Sequence, residues 1–125
     1  MTRTITLTGR PPVRIVEEQW PVVAYAAYEN FQGEVRDQAV RTWDASIRVR
    51  QHEDGRVLIY AMDRHWSAFP HEAGYEFRGG YLLAASGDVC ETVIRLAEEI
   101  VAAGGGEYMR TLGRECIADL PAEEI

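Results

Sequence analysis

Asp44-Ala45-Ser46-Ile47-Arg48-Val49-Arg50-Gln51-His52-Glu53-Asp54-Gly55-Arg56-Val57-Leu58-Ile59-Tyr60-Ala61-Met62-Asp63 reads as two strands joined by a tight turn. The Asp54-Gly55 pair tolerates the positive φ angles of a two-residue type I′ turn, whose twist matches that of the strands it joins. With Glu53 opposite Arg56, Ile47 pairs with Met62, Val49 with Tyr60 and Gln51 with Leu58 on the expected core face. The other face then holds Ser46, Arg48, Arg50 and His52 against Asp63, Ala61, Ile59 and Val57. Two arginines thus stand on a half-apolar surface that is open to solvent, to a ligand, or to a second copy joined through Ile59 and Ala61.

Outward from the hairpin, the period of two continues. Thr2 to Thr8 sets Ile5 and Leu7 between threonines and ends at Gly9-Arg10-Pro11-Pro12. Val13-Arg14-Ile15 alternates again before the Glu17-Glu18-Gln19-Trp20-Pro21 break, and Val22 to Tyr28 forms a further strand closed by a turn over Asn30 to Gly33. Trp43 and Trp66 flank the hairpin as anchors. Ser67 to Gly74, with Pro70, reads as a loop, and Tyr75 to Ala84 as a strand with a bulge or bend at Gly79-Gly80.

After Ser86-Gly87 the period changes. Val89, Val93, Leu96, Ala97 and Ile100 form a helical stripe that stops at Gly104-Gly105-Gly106. Asp88 and Glu91 have the spacing of a capping box. A second helix spans Glu107 to Ile117, with Met109, Leu112, Cys116 and then Leu120 on one side. The fold class is therefore α+β: one domain over residues 1–125, an antiparallel β-sheet of four to six strands (a β-rich meander over 1–85) packed against two C-terminal helices (86–125).

The 125 residues suffice for one core without staples, and 46% hydrophobic content excludes a disordered chain. The longest apolar runs, Leu82–Ala85 and Ile100–Ala103, fall far short of the roughly 20 residues of a membrane span, and the polar start lacks a signal peptide's apolar region. A cytoplasmic location is the expectation. Cys90 and Cys116 fall in helical segments and read as buried small hydrophobes rather than a disulfide.

All 13 cationic side chains are arginine, and charge is unevenly spread. Up to Gly87, 10 Arg face 11 Asp or Glu; from Asp88 onward, Arg95, Arg110 and Arg114 face nine acids. The net charge of -7 is concentrated at the end of the chain, where it repels nucleic acid and attracts basic partners.

No motif names a reaction. His52, His65 and His71, with Asp63 and Glu72, contain no pair at zinc spacing, although Asp63 and His65 share a strand face. Cys90 lies near a helix start that would lower a thiol's pKa, but Asp88 and Glu91 oppose this. Gly104-Gly105-Gly106 lacks the Lys and Thr of a phosphate loop and reads as a connector. Tyr75, Phe77 and Tyr81 read as core rather than as a base-stacking platform, because the net charge is wrong for nucleic acid. Neither a metal nor a cofactor is expected. The remaining signal is the acidic set Glu91, Glu98, Glu99, Glu107, Glu115, Asp119, Glu123 and Glu124. It reads either as a solvated face or as a surface for a basic groove, with Glu98, Glu99, Glu107, Glu123 and Glu124 as the expected partner contacts.

Ile5-Thr6-Leu7-Thr8-Gly9-Arg10-Pro11-Pro12-Val13-Arg14-Ile15, Val49-Arg50-Gln51-His52-Glu53-Asp54-Gly55-Arg56 and Glu115-Cys116-Ile117-Ala118-Asp119-Leu120-Pro121-Ala122 resemble a group of short uncharacterised proteobacterial proteins of prophages and integrative elements. In size and acidity the chain is also similar to anti-CRISPR and antirestriction proteins. That resemblance implies a non-enzymatic inhibitor that occupies the nucleic-acid-binding surface of a host defence complex, such as a CRISPR effector. The alternatives are a small enzyme or ligand-binding protein with Asp63, His65 and His71 around a pocket, and a self-associating structural module, for instance a homodimer.

Overall fold

A computed structural model of the chain describes residues 1–31, 41–67 and 75–122. A short ribbon comes first, β1 (Thr2–Ile5) antiparallel to β2 (Val13–Val16), followed by a 3₁₀ turn at Glu17–Gln19. Four antiparallel strands then form a meander: β3 (Val22–Phe31), β4 (Arg41–Gln51), β5 (Val57–Ser67) and β6 (Tyr75–Leu83). Helices α1 (Val89–Ala102) and α2 (Tyr108–Asp119) close the chain. The fold is α+β, as the sequence pattern implies. The turn expected at Asn30–Gly33 and the loop at Ser67–Gly74 fall mostly outside the described residues.

The hairpin register differs by one residue from the sequence reading. His52 N–H donates to Arg56 O at 2.9 Å and Gly55 N–H to His52 O at 3.0 Å, so the loop has three residues, Glu53 to Gly55. Gly55 takes φ +97°, the left-handed conformation that closes such a loop. The Asp54 side chain accepts from Arg56 N–H at 3.0 Å, which holds the turn from within. Ile47 therefore pairs with Ala61, Val49 with Ile59 and Gln51 with Val57.

This shift decides which side chains face the helices. Ala45, Ile47, Val49, Val57, Ile59 and Ala61 form the floor of the main core, roofed by Val93, Leu96, Ala97 and Ile100 of α1 and Met109, Leu112 and Cys116 of α2. Each large side chain so buried contributes about 1.5–3 kcal/mol. Ile59 and Ala61, expected on an outer face available for self-association, are instead covered by this helical layer.

The opposite face of the sheet is covered in part by the ribbon. Ile5, Leu7, Ile15 and Trp20 pack on Leu58 in a second, smaller core. Arg50 is buried beneath it, donating to Trp20 O at 3.0 Å and to Tyr60 OH at 2.9 Å, with Glu17 at 3.7 Å. The buried guanidinium is thus hydrogen-bonded and near a carboxylate, as burial of a charge demands.

Three local expectations are corrected. The β5–β6 register runs unbroken through Gly79 and Gly80, so there is no bulge. The glycines serve close approach, since Thr8 N–H donates to Gly80 O at 3.0 Å and a Cβ at Gly79 would lie 2.6 Å from Thr8 Oγ1. Asp88 makes no side-chain cap, because it is already turned into the 3₁₀ segment Ser86–Asp88; its carbonyl accepts from Thr92 Oγ1 at 2.7 Å. Cys90 is exposed, since the inward stripe of α1 passes through Val89, Thr92 and Val93, while Cys116 is buried; both thiols are free. Among the described residues, no helix is long and apolar enough to cross a membrane.

Candidate functional site

Asp63 lies on the helix-facing side of β5 and is fully buried. A carboxylate there needs donors, and the chain supplies them from its far end. Tyr108, the first residue of α2, donates its hydroxyl to Asp63 Oδ1, and Gly106 N–H donates to Oδ2 at 3.1 Å. The triple glycine permits the approach: a Cβ on Gly105 would lie 2.7 Å from Asp63 Oδ2 and 2.5 Å from Ile100 Cγ2. The connector between the helices is therefore fastened to the sheet through a single carboxylate.

His65, two residues along β5, reaches the same group. Its Nε2 lies 2.9 Å from Tyr108 OH and 3.4 Å from Asp63 Oδ1. Because the Tyr108 hydroxyl donates to Asp63, its oxygen accepts from His65, which places a hydrogen on Nε2. Burial and the adjacent Asp63 carboxylate drive the Tyr108 pKa well above that of free tyrosine. Tyr75 is displaced upward for the same reasons and packs edge-on to His65 at 5.6 Å. Tyr28 stacks on Tyr108 at 5.8 Å. The group is a hydrogen-bonded chain from a half-buried imidazole to a buried carboxylate.

Asp63 and His65, paired by strand parity in the sequence, are thus brought together. His52 is not: it lies at the hairpin turn against Trp20, with Nδ1 accepting from Asp54 N–H at 3.1 Å. His71 and Glu72 lie outside the described residues. Among the described residues no three His, Cys, Asp or Glu side chains are grouped as a metal ion would require. Tyr108 and Gly106 were not legible as members of the group.

The acidic residues of the helices divide into three kinds. Glu98 forms a two-pronged pair with Arg110 at 2.7 and 3.0 Å, which holds its carboxyl below the usual range, and Glu107 approaches the same guanidinium at 3.4 Å. Glu99 is half-buried and accepts the Tyr81 hydroxyl; burial, and then this hydrogen bond, raise that phenol's pKa. Glu91 and Glu115 are exposed. Glu123 and Glu124 lie outside the described residues.

Charge of the opposite sign gathers across the sheet. A cavity of about 270 Å³ between β1 and the outer sheet face is lined by Arg3, Arg48, Arg64 and Arg78, with Ser46 and Tyr60, and among the described residues no carboxylate is in its lining. Arg3 is held by Glu17, Arg64 by Asp44 at 3.0 Å and Arg78 by Glu76 at 2.8 Å. Arg48 donates to Ser46 Oγ at 2.9 Å and lies 4.7 Å from the centre of the Tyr25 ring. Compared with protein-family models, with curated proteins and with solved structures, the chain matches none.

Proposed function

We propose that this protein acts by binding rather than by catalysis, presenting the carboxylates of its helical layer to a basic protein surface. The partner we propose is a nucleic-acid-processing host defence complex, inhibited in the manner of an anti-CRISPR protein. The observation that carries this reading is the excess of exposed carboxylates on the helical layer, in a stretch where nine acids face three arginines from Asp88 onward. Glu91, Glu98, Glu107 and Glu115 are exposed on the helical layer, whereas on the other side Arg3, Arg48, Arg64 and Arg78 gather, three of them paired with Glu17, Asp44 and Glu76. A protein so divided approaches a basic groove in one orientation, with its negative face leading. The Asp63 group supports binding over chemistry, because both oxygens of its carboxylate are engaged by the protein's own donors.

The test is capture of the tagged protein from a lysate that contains such complexes, read by mass spectrometry at low and moderate salt. A stoichiometric, nuclease-resistant complex that weakens as salt rises is expected, since exposed charges are screened within about 10 Å at 0.1 M. Recovery of the bait alone from a lysate known to hold these complexes would refute the reading. The clean variants are Glu91→Arg and Glu115→Arg. Reversal at Glu99 would also break its contact with Tyr81, and reversal at Glu98 would face Arg110.

A further inference from the structure

We propose that the arginine-lined cavity between the ribbon and the sheet is a binding site for a phosphate group. The lining is rich in donors, and among the described residues it contains no carboxylate. Four guanidiniums line it, each with several N–H groups, and the carboxylates that hold three of them, Glu17, Asp44 and Glu76, are not part of the lining. The two hydroxyls act in the same sense. Tyr60 OH accepts from Arg50 Nε at 2.9 Å and Ser46 Oγ accepts from Arg48 at 2.9 Å, so each hydroxyl hydrogen is left for an acceptor.

Arg48 is the least neutralised of the set. Among the described residues it has no carboxylate within ion-pair distance, and its positive charge rests on a hydroxyl and the face of Tyr25. It is also half-buried, so solvent does not fully compensate the charge. Its neighbours are fixed by register: Arg48 stands opposite Tyr60, and Met62 stands between Ser46 and Arg78 on adjacent strands. The donors are therefore mounted on a paired sheet rather than on loops.

A phosphate suits this donor set better than a carboxylate. It carries up to two charges and three free oxygens in tetrahedral array, whereas a carboxylate offers two oxygens in one plane, and planar guanidiniums engage phosphate oxygens in pairs. The volume of about 270 Å³ admits the phosphate with a small group attached.

The test uses the full chain and isothermal titration with three phosphate probes (inorganic phosphate, phosphoserine and a nucleoside 5′-monophosphate), and with acetate as the carboxylate control at matched ionic strength. Saturable binding of a phosphate probe at least tenfold tighter than acetate is expected. Equal affinity for all three phosphates identifies a site for the group alone, and tighter binding of phosphoserine or of the nucleotide identifies the molecule that carries it. Arg48→Gln and, separately, the half-exposed Arg78→Gln should each weaken binding about tenfold or more, the effect of losing a charge-assisted hydrogen bond. Thermal melts without ligand establish that each variant is folded. Absence of saturable phosphate binding, acetate binding as tightly as phosphate, or full affinity in both folded variants would overturn the proposal.

Discussion

Replacing Tyr108 by Phe removes one oxygen from a well-packed position and leaves Asp63 Oδ1 without the hydroxyl that donates to it. The ring stays against Tyr28, so little apolar contact is lost. The cost is therefore electrostatic. A hydrogen bond to a charged group contributes about 1.5–3 kcal/mol, and leaving a buried acceptor unmatched adds its own desolvation cost. His65 also loses the oxygen to which its Nε2 donates. We expect a loss of about 2–4 kcal/mol, or a fall in Tm of roughly 8–15 °C for a domain of this size. Urea unfolding followed by circular dichroism reads it as a lower midpoint at unchanged slope. Asp63→Asn in the same background should recover part of the loss, because a neutral amide tolerates the missing donor better than a carboxylate. A cost below about 1 kcal/mol, or equal costs of Tyr108→Phe with and without Asp63→Asn, would refute the account of this group.

Further outcomes follow from particular residues. Burial, with the charge of Asp119, pushes the Cys116 thiol up to about 12, so the native state keeps a proton that the unfolded chain loses above about pH 9. The folded pKa is the raised one, so this contribution is complete below pH 9 and is lost as pH climbs towards 12; Cys116→Ala should flatten that part of a stability–pH profile. The same burial predicts that a thiol reagent titrates Cys90 alone in the native protein and both cysteines in urea; rapid reaction of two native thiols would contradict the packing of α2. Gly55→Ala should cost about 1 kcal/mol in the same unfolding assay, because φ is +97° and no atom lies near enough for a clash to add to the backbone strain; no change would contradict a left-handed residue at this position.

Strand alternation and the helical stripe were enough to reveal the meander, the two helices and their order. The hairpin register was not legible, because Val57 to Met62 is largely apolar at both parities. That double apolarity has a structural reason: Val57, Ile59 and Ala61 face the helices, while Leu58 and Tyr60 face the ribbon, so neither parity is polar. Asp-Gly fits both a two-residue loop and the observed three-residue one, and only the His52–Arg56 hydrogen bond decides between them. In the candidate site, Asp63 and His65 could be paired by strand parity, whereas Tyr108 is 45 residues from Asp63 in sequence. The run of three glycines, read only as a connector, was the signal that could have pointed there: a Cβ on Gly105 would meet Asp63 and Ile100, while Gly104 takes φ +106° in open space. The inward turn of Glu99 was hidden for a similar reason, since its partner Tyr81 lies on another element.

We propose that the acidic helical layer, and not the arginine face, engages a protein partner. The most direct measurement is quantitative capture of that partner by the wild-type chain, by a Glu91→Arg, Glu115→Arg double variant and by Arg48→Gln, each checked for an unchanged melt. The acidic-face variant is expected to lose the partner by an order of magnitude or more while Arg48→Gln retains it. Equal capture by all three, or loss only with Arg48→Gln, would contradict it.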